Sequence, residues 1–390
     1  MRPLAVTGVG IVSPLGSEPC AVLAALDQGQ KGLVAVRDAP LAGSGWAGRV
    51  VDFDPGPVIP PMRARRLDRA SQFAVVAAHR ALSAAGLLGE ERLRRGLGVV
   101  MGTSSAGSGP LTVFLEALYR QSPEAAPPFE FPNTVANAPA SHVSIELKLE
   151  GPNTTLAHSE AVTGMALVLG RQMIEDGRVT AALVGAVDEW NPYYQLGYEQ
   201  IGALRGQVEG GGGSLLSEGA TELVIEPADA AEARGARVLA RILGVGVASA
   251  AGEPYRWLPD AGALAQAIRG ALAEAGMPAE AVGSVFLAAN GVEAMERAEA
   301  EALAAVFGAG PLAATGIKGA VGERSTSGAL GVAVAALCRA RHRLPPYAGG
   351  SLASWPAPVR LLAAPGELPP GATLVLLYGF GGNYAAVILS

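Results

Sequence analysis

The sequence predicts an α/β protein made of two similar halves packed together. Three observations lead there. Strands alternate with helices twice, in the same order, along the 390 residues, which is how a layered, duplicated α/β chain reads. The strands are apolar along their length rather than alternating, as strands covered on both faces are. Residues 161–174 are apolar almost all round, with Arg171 the first charge, so this helix is expected at the centre of the fold. The halves divide near residue 230, giving units 1–230 and 231–390.

The elements follow in order. Leu4 to Thr7 reads as a short buried strand, followed by a tight, glycine-rich strand–loop connection over Gly8 to Gly16, and residues 19–28 read as a helix. Residues 31–61 are rich in Gly and Pro with little periodicity and are expected as a surface excursion. A helix is expected over 67–85, because Leu67, Ala70, Phe73, Ala74, Ala77, Ala81 and Leu82 share one face. Asp68 is its cap and Gly86 its stop. A buried strand over 96–101 ends at Gly102 and leads to a helix over 110–119. A loop with Phe129 and Phe131 comes next, then a helix over 138–149.

Residues 154–157 are β-like and run into a turn before the apolar helix over 161–174. This strand-to-helix elbow is the geometry in which enzymes present a nucleophile. Its apex is Glu160, an anion expected to be favoured by the helix N-terminus. Beyond it come strands over 179–187 and 216–226, with a flexible surface turn at 210–213. The second half repeats the plan: strand 238–246, helix 262–275, strand 284–289 ending at Asn290, helix 294–307. Residues 312–316 then lead through Lys318 and Glu323 to a buried helix. Two strands, 373–378 and 384–389, close the chain around the turn Gly379-Phe380-Gly381-Gly382-Asn383.

Composition narrows the function. Hydrophobic residues make up 50% and charged residues 16%, which implies extensive buried surface, a subunit interface included. The net charge is −6 with no Lys/Arg cluster, which argues against nucleic acid or membrane lipid as a partner. Cys20 and Cys338 lie far apart and read as core thiols of a reducing compartment. His79, His142, His158 and His342 have no ligand spacing, and His158 reads as a packed core histidine. No metal and no cofactor are expected, and no Lys-Ser/Thr follows at P-loop spacing. The start enters a strand directly, and the longest apolar run, 327–338, is too short to span a bilayer. A cytoplasmic location is expected.

The chain resembles the ketosynthase branch of the thiolase fold from end to end. The matching stretches are Val6-Thr7-Gly8-Val9-Gly10, Ser13-Pro14-Leu15-Gly16, Arg66-Leu67-Asp68-Arg69-Ala70-Ser71-Gln72, Gly151-Pro152-Asn153-Thr154-Thr155, Glu218-Gly219-Ala220, Ala233-Arg234-Gly235-Ala236 and Gly379-Phe380-Gly381-Gly382-Asn383. The resemblance implies a thiolase-like αβαβα structure. It also implies a site of one Cys at the elbow and two His. Counting from Gly151-Pro152 puts Glu160 at the Cys position. Asn290 and Glu323 fall at the two His positions, while Lys318 is kept. A carboxylate is a weak nucleophile toward a thioester, and Asn cannot shuttle a proton. No catalytic residue is therefore expected.

Loss of all three groups is similar to the chain-length factor, or β subunit, of type II polyketide synthases, although that group commonly carries Gln at the elbow. The resemblance implies a heterodimer with an active ketosynthase α subunit, served by an acyl carrier protein. In it, this chain would shape the interface tunnel that sets polyketide chain length. The tunnel-lining candidates by position are Gly109, Pro110, Thr112, Val113, Glu116 and Phe131, and Phe380 matches a gating loop. The alternative is a malonyl thioester decarboxylase that primes the chain. Glu160 and Glu323 are expected to share one pocket, as an acid/base pair or neutralised by Arg324, Lys318 or water.

Overall fold

The computed structural model describes residues 3–36, 45–91, 95–204, 213–308, 310–350, 355–356 and 358–390. The large sheet has eleven strands: β1 (Leu4–Val12), β2 (Leu97–Thr103), β3 (Asn153–Ala157), β4 (Ala181–Asp188), β5 (Gly219–Pro227), β6 (Ala240–Ser249), β7 (Val282–Phe286), β8 (Leu312–Thr315), β9 (Val359–Leu361), β10 (Ala372–Gly379) and β11 (Asn383–Leu389). Their order across the sheet is β9-β8-β7-β10-β11-β6-β1-β5-β4-β2-β3. The duplication is explicit in that order. Outward from β1 come β5, β4, β2 and β3; outward from β6 come β11, β10, β7 and β8. In each half the first two pairings are antiparallel and the next two parallel. A short antiparallel contact, Leu4 to Val6 against Ile242 to Ala240, joins the halves.

The helices used below are α1 (Pro19–Asp27), α2 (Arg69–Ala84), α3 (Ser108–Arg120), α4 (Ala138–Leu147), α5 (Val162–Glu175), α6 (Pro192–Gln200), α7 (Ala261–Ala275), α8 (Glu293–Phe307) and α9 (Ser325–Arg341). The middle layer is α5 and α9, each touching strands of both halves. Every residue of α9 from Ser325 to Ala336 is buried. The outer layers are α2 over the first half and α7, backed by α8, over the second. This is the αβαβα thiolase-like arrangement that the sequence implied.

Close helix–sheet contact recurs in both halves through paired glycines. A Cβ on Gly8 or Gly10 would lie 2.1 or 1.8 Å from the main-chain oxygen of Ala81 or Ala77 on α2. Gly244 and Gly246 face Ala271 and Ala267 of α7 the same way, at 2.1 and 1.9 Å. Any side chain there would push the helix off the sheet. Asp68 caps α2 as expected, its carboxylate accepting the Ser71 N–H at 3.3 Å, and Gly86 takes a left-handed φ of 68°.

Several expectations are corrected. The excursion at 31–61 is not all surface: Leu33–Val36 and Gly45–Gly48 pair antiparallel, and Ala47, Val50 and Ile59 are buried. The Gly48 N–H bonds the Leu216 carbonyl, which ties the segment to the core. Cys20 is exposed rather than a core thiol, while Cys338 is buried. The turn expected at 210–213 lies, apart from Gly213, outside the described residues. Among the described residues, no helix is long and apolar enough to cross a membrane.

Candidate functional site at the strand–helix elbow

The elbow forms because β3 pairs parallel to β2 along the sheet edge and delivers residues 158–161 to the head of α5. The His158 N–H donates to the Thr103 carbonyl at 2.9 Å, and Val162 N–H closes the turn onto Ser159 O. Glu160 is 2% exposed. Its Oε1 accepts the Tyr198 hydroxyl at 3.0 Å and its Oε2 accepts the Phe380 N–H at 3.1 Å. The expectation of a carboxylate held by the helix N-terminus is therefore corrected. α5 begins at Val162 with Ala161 as its cap and no side-chain capping bond. The carboxylate is taken instead by α6 and by the closing turn of the second half. His158 is also corrected: it is exposed, and its Nδ1 accepts its neighbour's N–H, from Ser159, at 2.7 Å.

The turn can reach Glu160 because residue 379 is glycine. A Cβ there would stand 2.6 Å from Ser159 Oγ and 2.7 Å from the Glu160 nitrogen. Phe380 is held on both sides. Trp257 stacks on it with ring centres 4.3 Å apart, and Tyr198 meets it edge-on at 5.2 Å. Behind Tyr198 lies Arg324, which is 1% exposed. Its Nη1 donates to the Tyr198 hydroxyl at 3.1 Å, and its guanidinium faces the rings of Tyr198 and Tyr194 at 4.8 and 5.1 Å. Burial, above all, holds the Tyr198 phenol well above its usual range, so it stays a donor to Glu160.

Glu323 sits just before α9 and is likewise buried. Its Oε2 accepts Lys318 Nζ at 2.7 Å and its Oε1 the Ser327 hydroxyl at 3.2 Å. Burial pushes its carboxyl up to about 7, against the pull of Lys318, and the Glu160 charge adds to the rise. Asn290 Oδ1 accepts the Val292 N–H at 3.1 Å. Among the described residues its Nδ2 has no partner at hydrogen-bond geometry, yet it lies close enough to favour the Glu323 anion. The structure thus gathers Glu160, Asn290 and Glu323 at one buried centre. Of the expected neutralising groups, Lys318 engages Glu323 directly, and Arg324 acts on Glu160 through Tyr198.

The elbow centre has a polar frame that the motifs did not single out. Asp188, at the end of β4, accepts the N–H groups of Ser104 and Ser105 at 2.8 and 2.9 Å and that of Thr326 at 3.1 Å. It pins the end of β2 to the start of α9, which fixes the backbone around the centre.

The expected tunnel residues divide. A groove of about 340 Å³ runs along α3, lined by Ser108, Leu111, Thr112, Leu115, Glu116 and Tyr119, with Tyr193 and Tyr194 opposite. Thr112 and Glu116 are on it: Thr112 Oγ1 accepts Asn191 Nδ2 at 3.0 Å, and Tyr193 OH donates to Glu116 at 2.5 Å. Gly109 instead donates its N–H to Glu189 at 2.5 Å, and Pro110 is buried. Val113 and Phe131 are exposed outside the groove, Phe131 packing on Phe114 at 5.6 Å. Helical spacing explains the split. Positions 108, 111, 112, 115, 116 and 119 form one stripe, and 113 points elsewhere. That spacing was available from the sequence; Tyr193 and Tyr194 were not, because they arrive on another helix.

Residues 1–231 match the family model described as beta-ketoacyl synthase, N-terminal domain, and residues 239–350 match the beta-ketoacyl synthase C-terminal domain. The chain belongs to the beta-ketoacyl synthase family. Among family members it is 30% identical to the tetracenomycin polyketide synthase ketoacyl synthase beta subunit of Streptomyces glaucescens, over 99% of this chain and 98% of that protein. It is 27% identical to 3-oxoacyl-[acyl-carrier-protein] synthase 2 of Coxiella burnetii, over 100% and 98%. Its structure is similar to that of the ishigamide ketosynthase/chain length factor, with a TM-score of 0.91 and 28% identity, covering 100% of this chain and 99% of that one.

Proposed function

We propose that this ketosynthase-like chain is a non-condensing subunit. It pairs with an active ketosynthase in a type II polyketide synthase and shapes the channel that receives the growing chain. The carrying observation is the state of the elbow. Glu160 replaces the nucleophile, and both its oxygens are committed to Phe380 and Tyr198 within the subunit. Asn290 and Glu323 supply no imidazole, and the Lys318 cation is spent on Glu323.

Two further features support pairing. Among the described residues β3 is the last strand at one end of the sheet. Of the elements beside it, α4 carries Ile145 exposed and the segment Phe131–Asn133 carries Phe131, with Phe129 and Val135 exposed on either side of that segment. Exposed apolar side chains near an edge strand are what a partner subunit covers. The α3 groove has the apolar lining a hydrocarbon-rich acyl chain needs. Acyl carrier protein serves the site through the complex.

The test is co-expression with an active type II ketosynthase and its carrier protein, comparing wild type with Leu115→Trp. A stable heterodimer whose product shortens with the filled groove is expected. A homodimer that ignores the ketosynthase, or unchanged product from Leu115→Trp, contradicts the reading. Decarboxylation by this subunit alone would instead establish the priming role.

A further inference from the structure

A separate cleft of about 480 Å³ opens between α1, the end of α2, the entry to β6 and the C-terminal end of α9. None of its residues belongs to the elbow or to the α3 groove. Its floor is apolar: Val9, Leu23, Leu239 and Leu337 line it. Its rim is charged. Asp27 accepts both terminal nitrogens of Arg341, at 2.8 and 2.9 Å, and Arg343 approaches the same carboxylate at 4.0 Å. The Asp27 charge is therefore already matched. Arg237 also lines the cleft, is exposed, and makes no ion pair or side-chain hydrogen bond among the described residues.

Two guanidinium groups, Arg237 and Arg341, thus line the cleft with its hydrocarbon floor, and Arg341 is the one bonded to Asp27. That is a complement for an anionic head carrying an apolar tail, and a guanidinium prefers the planar, two-oxygen geometry of a carboxylate. The volume falls in the range of small-molecule sites. We infer that this cleft binds a small amphipathic carboxylate, with its acid group on Arg237 and its hydrocarbon over Val9, Leu23, Leu239 and Leu337.

The chain carries its own reporter. Cys20 lines the cleft and is exposed. Cys338, the other thiol, is buried, with its pKa pushed up to about 12 by that burial, so it stays an unreactive thiol. Alkylation of Cys20 by N-ethylmaleimide, followed by mass spectrometry, reads occupancy directly. The probes are sodium decanoate and, as the uncharged match, 1-decanol. Decanoate is expected to slow Cys20 alkylation saturably, and decanol to do so only at much higher concentration. Arg237→Ala is expected to weaken the decanoate effect by about tenfold or more, the scale of one charge-assisted hydrogen bond, and Arg237→Lys to restore part of it. A melting curve confirms that the exposed substitution leaves the fold intact. Three results would each overturn the inference: no protection by decanoate, equal protection by decanol, or undiminished protection in Arg237→Ala.

Discussion

The Glu160 carboxylate accepts the main-chain N–H of Phe380 at 3.1 Å, across 220 residues of sequence. It joins the elbow of the first half to the closing turn of the second. Glu160→Ala leaves that buried N–H and the Tyr198 hydroxyl without their acceptor. A loss of about 1–3 kcal/mol in unfolding free energy is expected, read by denaturant titration. Glu160→Gln keeps an acceptor and should cost clearly less.

Glu160→Cys returns a thiol to the elbow without either imidazole. No condensation should follow, because Asn290 and Glu323 remain in place of the bases. Incubation of the variant with acyl and malonyl acyl carrier protein, followed by intact-mass measurement of the carrier protein for a two-carbon-extended product, checks this.

Lys318 and Glu323 form a buried pair, with side chains 5% and 3% exposed. Lys318→Met strands a buried carboxylate and should cost about 3–5 kcal/mol. Adding Glu323→Gln removes the stranded charge and should recover a large part of the loss. A double-mutant cycle by chemical denaturation measures the coupling.

Stability should fall as pH rises from about 5 to about 8. Burial, as the largest cause, raises Glu189 and Glu323 to about 7 and Glu299 to about 8. A raised acid binds its proton more tightly in the folded chain than in the unfolded one. Its contribution is present at low pH and is lost as pH climbs from the unfolded value to the folded one, at about 1.4 kcal/mol per unit for each group. Melting temperature across that window should therefore slope downward, and Glu299→Gln should flatten it.

Glu222 is fully buried on β5 with neither oxygen hydrogen-bonded among the described residues, and burial holds its pKa well above the usual carboxylate range. Glu222→Met keeps similar volume and removes the desolvated acid. A higher melting temperature is expected, with the gain largest at alkaline pH.

The duplicated α/β plan was legible because period and apolar runs report burial directly. The Asp68 cap and the central α5 and α9 followed from local pattern, while the first strand runs on to Val12, through the glycines expected to end it at Thr7. The α3 stripe was half legible: Thr112 and Glu116 fall on it, while Gly109, Pro110, Val113 and Phe131 do not. What could not be read was long-range. Tyr198 and Trp257 meet Glu160 or Phe380 only through tertiary packing, so no spacing announces them. His158 and Cys20 misled for a related reason. Residue type predicts average burial, and these two sit on an edge turn and a cleft rim.

The most direct measurement of the central claim is CO2 release and chain extension from malonyl acyl carrier protein, with the purified subunit alone and then joined to an active ketosynthase. No CO2 and no condensed product from the subunit alone, with full-length polyketide only in the heterodimer, is the expected result. Decarboxylation or condensation by the subunit alone, lost in Glu160→Gln, would contradict it.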